Sequence, residues 1–81
     1  MRQILTHSAQ LGQILASRRR ASKLSQRVLA GKLVISQNRL SEIEANPGSI
    51  TVERLLGLAN ILGLELVIQD KPTNRSPKTE W

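Results

Sequence analysis

The sequence predicts a mostly α-helical fold of four to five short helices, followed by a short C-terminal β-strand that pairs across a homodimer. Three observations carry this. Apolar residues recur at helical spacing in segments that each begin at a Ser or Thr. Asn46-Pro47-Gly48 and Gly63 punctuate those segments. "LELVIQD" (64–70) instead alternates and is rich in β-branched residues. The chain has 81 residues, read as one domain, 1–70, and a polar tail, 71–81, whose two prolines and lack of periodicity predict disorder. A core of this size is marginal, and without Cys no disulfide or thiolate metal site can reinforce it. Association with a second copy is the expected source of extra stability.

The first helix spans 8–21, with Ser8 as its expected N-cap and Leu11, Ile14 and Leu15 on one face. Arg18, Arg19 and Arg20 fan around its last turn, where cations complement the helix dipole. A second helix, 26–33, is capped by Ser25 and places Leu29 and Leu33 one turn apart. A third, 37–45, starts after Ser36 and stops at "ANPGS", where Pro47-Gly48 suits the centre of a type II turn.

The fourth helix, roughly 52–62, runs from a Thr51 cap to Gly63, an expected left-handed C-cap. At 100° per residue its apolar side chains, Val52 to Leu62, span an arc of roughly 220°, about twice what one covering surface needs. A second copy of the chain is the economical partner. The expected interface is Leu58, Ile61 and Leu62 with Leu64, Leu66, Val67 and Ile68 from the strand. That strand needs an edge to bond. Arg2–Thr6 could offer one within the chain, but the same strand of a second subunit, antiparallel across a two-fold axis, is preferred.

Charge is lopsided. Residues 1–41 hold eight Lys or Arg and no acid, whereas residues 42–81 hold four bases and all six acids, giving +8 and −2. Such a field suits a polyanion, and nucleic acid is the commonest. On charge alone, a solvated basic surface competes evenly with that reading.

The internal positions decide between them. Leu29 and Leu33 face inward, Ile35 plugs a tight turn, Leu40 and Ile43 hold the next helix down, and Ala30 fits where the two helices cross. This is a helix-turn-helix pattern. Its second helix turns Gln37, Asn38 and Ser41 outward near the N-terminal end, the end that enters a major groove. Gln and Asn can bond adenine through N6 and N7, and Arg39 on the flank can reach a guanine or a phosphate. The expected base-reading set is Ser36, Gln37, Asn38, Arg39 and Ser41. The expected phosphate-binding set is Arg18, Arg19, Arg20, Lys23, Gln26 and Arg27, the last two at a helix N-terminus whose amides favour an anion. Glu42 is an objection, because a carboxylate facing phosphates repels.

An enzyme is not expected. There is one His, no Cys and no paired carboxylates in a plausible pocket, so no catalytic residue, cofactor or metal is assigned, and His7 reads as exposed and inert. No apolar run is long enough for a signal segment or a membrane span, and a bacterial cytoplasmic location, on the nucleoid when DNA-bound, is expected.

"LSQRVLAGKLVISQNRLSEIE" (24–44) resembles the helix-turn-helix of the Cro/lambda-repressor class, the Xre family. With "NPGSITVERLLGLANILGLELVIQD" added, residues 8–70 are similar to the HipB-like antitoxins of HipBA toxin–antitoxin systems. The resemblance implies a Cro/lambda-repressor-like fold and a homodimer that binds a palindromic double-stranded operator and represses its own operon. It also implies neutralisation of a HipA-like serine/threonine kinase toxin. The family's DNA-contacting positions fall on Gln26, Ser36, Gln37, Asn38 and Ser41, and its strand-swapped lid on Leu64–Gln69. Three departures stand out. Val34 and Lys23 occupy positions where Gly is usual, and Val28 replaces the Glu that would complete a capping box with Ser25.

Trp81, the sole aromatic, ends the tail. It reads either as a stray exposed terminus or, given the antitoxin resemblance, as a toxin-binding anchor on a flexible leash. The alternatives to the antitoxin are a stand-alone Xre-type regulator and a protein-binding adaptor with a helix-turn-helix shape.

Overall fold

The computed structural model describes residues 2–72, so Trp81 and the tail beyond 72 lie outside the described residues. Four helices follow one another: α1 (Ser8–Ala21), α2 (Gln26–Leu33), α3 (Gln37–Ala45) and α4 (Val52–Leu62), with a 3₁₀ turn, Pro47–Ser49, before the last. Ser25, Ser36 and Thr51 cap α2, α3 and α4 as expected, their hydroxyls accepting from the amides of Val28, Arg39 and Arg54 at 3.1, 3.0 and 3.1 Å. The cap of α1 is His7 rather than Ser8. Gln10 Oε1 accepts from the Thr6 and His7 amides at 2.7 and 3.1 Å, so a glutamine three residues into the helix fills the capping-box role.

Three helices end alike. Lys23, Val34 and Gly63 adopt left-handed φ of 60°, 59° and 72°. The amide after each reaches back to a carbonyl five residues earlier: Leu24 to Arg19 at 3.1 Å, Ile35 to Ala30 at 3.0 Å, Leu64 to Ala59 at 2.8 Å. The left-handed turn is thus kept at the two sites where Gly is missing, against a conformational cost of about 1–2 kcal/mol for an L-residue. The expected type II turn does not form. Pro47 and the amide of Ile50 close a 3₁₀ turn at 3.1 Å, and Gly48 has no positive φ. Pro47 is buried, and its Cδ lies against Gly12 of α1.

Leu15, Leu29, Leu40, Ile43, Leu58 and Leu62 form one core, with Ala30 buried where α2 and α3 cross. Gly12 permits a close backbone approach. A Cβ there would lie 2.2 Å from the Glu44 carbonyl oxygen and 3.2 Å from Pro47 Cδ. α1 therefore rests directly on the end of α3 and the turn after it.

The broad apolar arc of α4 divides. Leu58, Ala59 and Leu62 enter the core, while Val52, Leu56 and Ile61 remain exposed. Leu58 and Leu62, expected at a dimer interface, are thereby corrected to core residues: they pack against α1–α3 and have no surface left to offer. The expected strand 64–70 is also absent, and no strand occurs among the described residues. The segment has no regular secondary structure, and Leu66, Val67 and Ile68 are exposed. Arg2–Thr6 forms no ladder with it, although Arg2 Nη2 donates to the Gln69 side-chain oxygen. A strand without an edge to bond gains no backbone hydrogen bonds, so within a single chain the pattern alone does not make a sheet.

Candidate nucleic-acid interface

α2 and α3 form the expected pair, and the core decides which side of α3 faces out. Leu40 and Ile43 are buried, leaving Gln37, Asn38, Arg39, Ser41 and Glu42 exposed. Asn38 points opposite the buried stripe, with Gln37 and Ser41 to one side of it and Glu42 and Arg39 to the other. Ser36, exposed at the start of α3, uses its oxygen as the helix cap, which fixes the end presented to a ligand.

The six expected phosphate binders separate. Arg20, Lys23 and Arg27 are exposed and make no ion pair among the described residues. Arg18 is half-buried, and its Nε donates to the Leu62 carbonyl at 2.9 Å, tying α1 to the C-terminal end of α4. Arg19 is almost enclosed. Its Nε and Nη2 grip the Glu44 carboxylate at 2.7 and 3.1 Å, and Nη1 donates to the Leu24 carbonyl at 3.0 Å. With side-chain exposures of 11% for Arg19 and 8% for Glu44, this guanidinium is spent on the fold. Gln26, half-buried at the first position of α2, donates from Nε2 to the same Glu44 at 3.0 Å. Glu44 thus joins α1, the N-terminus of α2 and the C-terminal turn of α3, and sets how the start of α2 stands relative to α3.

Glu44 and Gly12 were missed by sequence reasoning, although a signal existed for the first. Arg19 lies four residues after Leu15, and Glu44 four after Leu40, so both stand over buried leucines. A carboxylate and a guanidinium that each continue an inward stripe must find one another or remain unpaired inside. Arg54 is a further unforeseen contact, donating to the Leu33 carbonyl at 3.3 Å and so anchoring the end of α2 beside the Val34 turn.

Residues 15–69 match the helix-turn-helix family model, and the chain belongs to that family. Within it, the particular likeness is to HipB. The chain is 25% identical to a chain in the structure of a HipA–HipB–O2–O3 complex, covering 88% of this chain and 100% of that one with a TM-score of 0.78. Against a HipB–O1–O2 complex the identity is 26%, the coverage 85% and 100%, and the TM-score 0.76. No curated protein sequence matches the chain. The resemblance read from residues 8–70 is thus upheld: this is a HipB-like helix-turn-helix protein. No helix among the described residues is long and apolar enough to cross a membrane.

Proposed function

We propose that the protein is a sequence-specific transcriptional repressor that binds a palindromic DNA operator as a homodimer, and that it serves as the antitoxin to a HipA-like serine/threonine kinase. One observation carries the DNA reading: α3 is held by two buried residues and turns Gln37, Asn38, Arg39 and Ser41 outward together. In this reading those four, with Ser36, meet base edges in the major groove. Arg20, Lys23 and Arg27, with the amides at the start of α2, meet phosphates. Arg18, Arg19 and Gln26 act indirectly, by holding α1, α2 and α4 in register.

The dimer reading is supported by the exposed apolar side chains of Val52, Leu56, Ile61, Leu66, Val67 and Ile68, all on α4 or the segment that follows it. Pairing of the 64–70 segments across a two-fold axis would supply the missing backbone bonds and set the two outer helices about 34 Å apart, one turn of DNA. The antitoxin reading is supported by the likeness to HipB solved together with HipA, and Trp81 is its proposed tail anchor. Footprinting on DNA upstream of the gene tests the repressor. A short inverted repeat should be protected, and indifference to promoter over scrambled competitor overturns it. Co-purification with the product of a neighbouring kinase-like gene, weakened by deletion of Trp81, tests the antitoxin.

A further inference from the structure

Glu42 is the first acid in the sequence, and it sits on the outward side of α3 among groups that would meet DNA. An unpartnered carboxylate there would repel phosphates at close range. It has a partner. Arg39 Nη1 donates to Glu42 Oε1 at 3.2 Å, one turn along the same helix, and both side chains stand in solvent. We infer that Glu42 is a positioning residue for Arg39, and that the pair reads one guanine in each half-site, an assignment that rests on the proposed DNA-binding function.

The geometry of the guanidinium is what makes the pair useful. A guanidinium has five N–H groups, and the contact with Glu42 uses one of them on Nη1. The opposite edge, Nε and Nη2, remains available as a planar fork, the arrangement that donates to guanine O6 and N7 together. An arginine on an exposed helix otherwise samples many rotamers, most directed at the phosphate strands. The carboxylate one turn away restrains it over the groove and offsets the excess positive charge. The other exposed polar residues of α3 do not combine these properties, since Asn38 and Gln37 lack charge and Ser41 is too short to reach beyond its own turn.

The test uses the full chain and a library of duplexes bearing inverted repeats with randomised half-sites. Wild-type protein should enrich a motif containing one G·C pair whose replacement weakens binding about tenfold. Arg39→Lys, which keeps the charge but loses the fork, should flatten the preference at that pair alone. Glu42→Ala should flatten the same pair while binding to scrambled DNA holds or rises, a combination that simple loss of structure cannot give. Both sites are exposed, so melting curves should match wild type. If Glu42→Ala tightens binding evenly and leaves the motif unchanged, the carboxylate merely repels and the inference fails. Loss of a cytosine preference in Glu42→Ala that Arg39→Lys does not share would make Glu42 the direct reader, and also overturns it. Failure of the wild-type chain to enrich any motif would instead strike the proposed function itself.

Discussion

Arg19 and Glu44 are joined by two hydrogen bonds, of 2.7 and 3.1 Å, that link α1 to the last turn of α3 inside the protein. The same carboxylate receives Gln26 from the start of α2. A pair this enclosed contributes little net stability when intact, because both charges have left water, but removing one partner strands the other. Glu44→Ala should therefore destabilise by about 3 kcal/mol, read as a fall in the urea midpoint with unchanged slope. Arg19→Met with Glu44→Leu, replacing both charges by apolar groups, should recover most of that loss. If the single variant unfolds at the wild-type midpoint, the pair is not structural.

Val34 holds a φ of 59° while 87% of its surface is exposed, so its side chain adds backbone strain and almost no packing. Val34→Gly should stabilise the fold by about 1 kcal/mol, raising the melting temperature by roughly 4–8 °C in a domain of this size. Calorimetry decides it. A clear drop would mean that the αL conformation is not what Val34 pays for in the native state.

Gly12 offers the opposite case, a site where the smallest side chain is required by space. A methyl group there would sit 2.2 Å from the Glu44 carbonyl oxygen, and backbone on both sides limits relief. Gly12→Ala should cost about 2 kcal/mol despite the better helix propensity of Ala. Thermal melts of the two forms measure it, and a stabilised variant would contradict the close approach of α1 and α3.

Asn38 and Arg27 should fail differently in DNA binding. Asn38→Ala should cost about 1–3 kcal/mol on the selected site and little on random duplex. Arg27→Ala should weaken both alike and lower the steepness of the salt dependence. Fluorescence anisotropy at two salt concentrations separates the pair.

Ile68 is fully exposed and Leu58 fully buried, which divides the expected interface into two testable halves. Ile68→Asp should abolish dimerisation in sedimentation runs while leaving the helical circular-dichroism signal intact. Leu58→Asp should instead unfold the chain, since the acid would enter the core. Identical behaviour of the two variants would refute the division.

Local chemistry made much of this fold legible. Ser25, Ser36 and Thr51 announce three helix starts because a hydroxyl before an apolar stripe has few better uses than a cap. Gly63 announces an end, and Leu29, Leu40 and Ile43 reveal the inward side of α2 and α3, hence which residues of α3 face out. Those signals reside within one or two turns of chain, where periodicity and capping act.

What the sequence by itself determined was therefore the helices, their faces and the polar outward side of α3. Only the tertiary structure decided which cations remain available. Arg18, Arg19 and Arg20 are consecutive and chemically identical, yet one caps α4, one is enclosed with Glu44 and one stays in solvent. Rotation by 100° per residue sends three neighbours toward three different surroundings, and those surroundings come from residues more than twenty positions away. The division of the α4 arc between core and open surface has the same cause: periodicity states how wide an apolar face is, and only packing states how much of it one chain can cover.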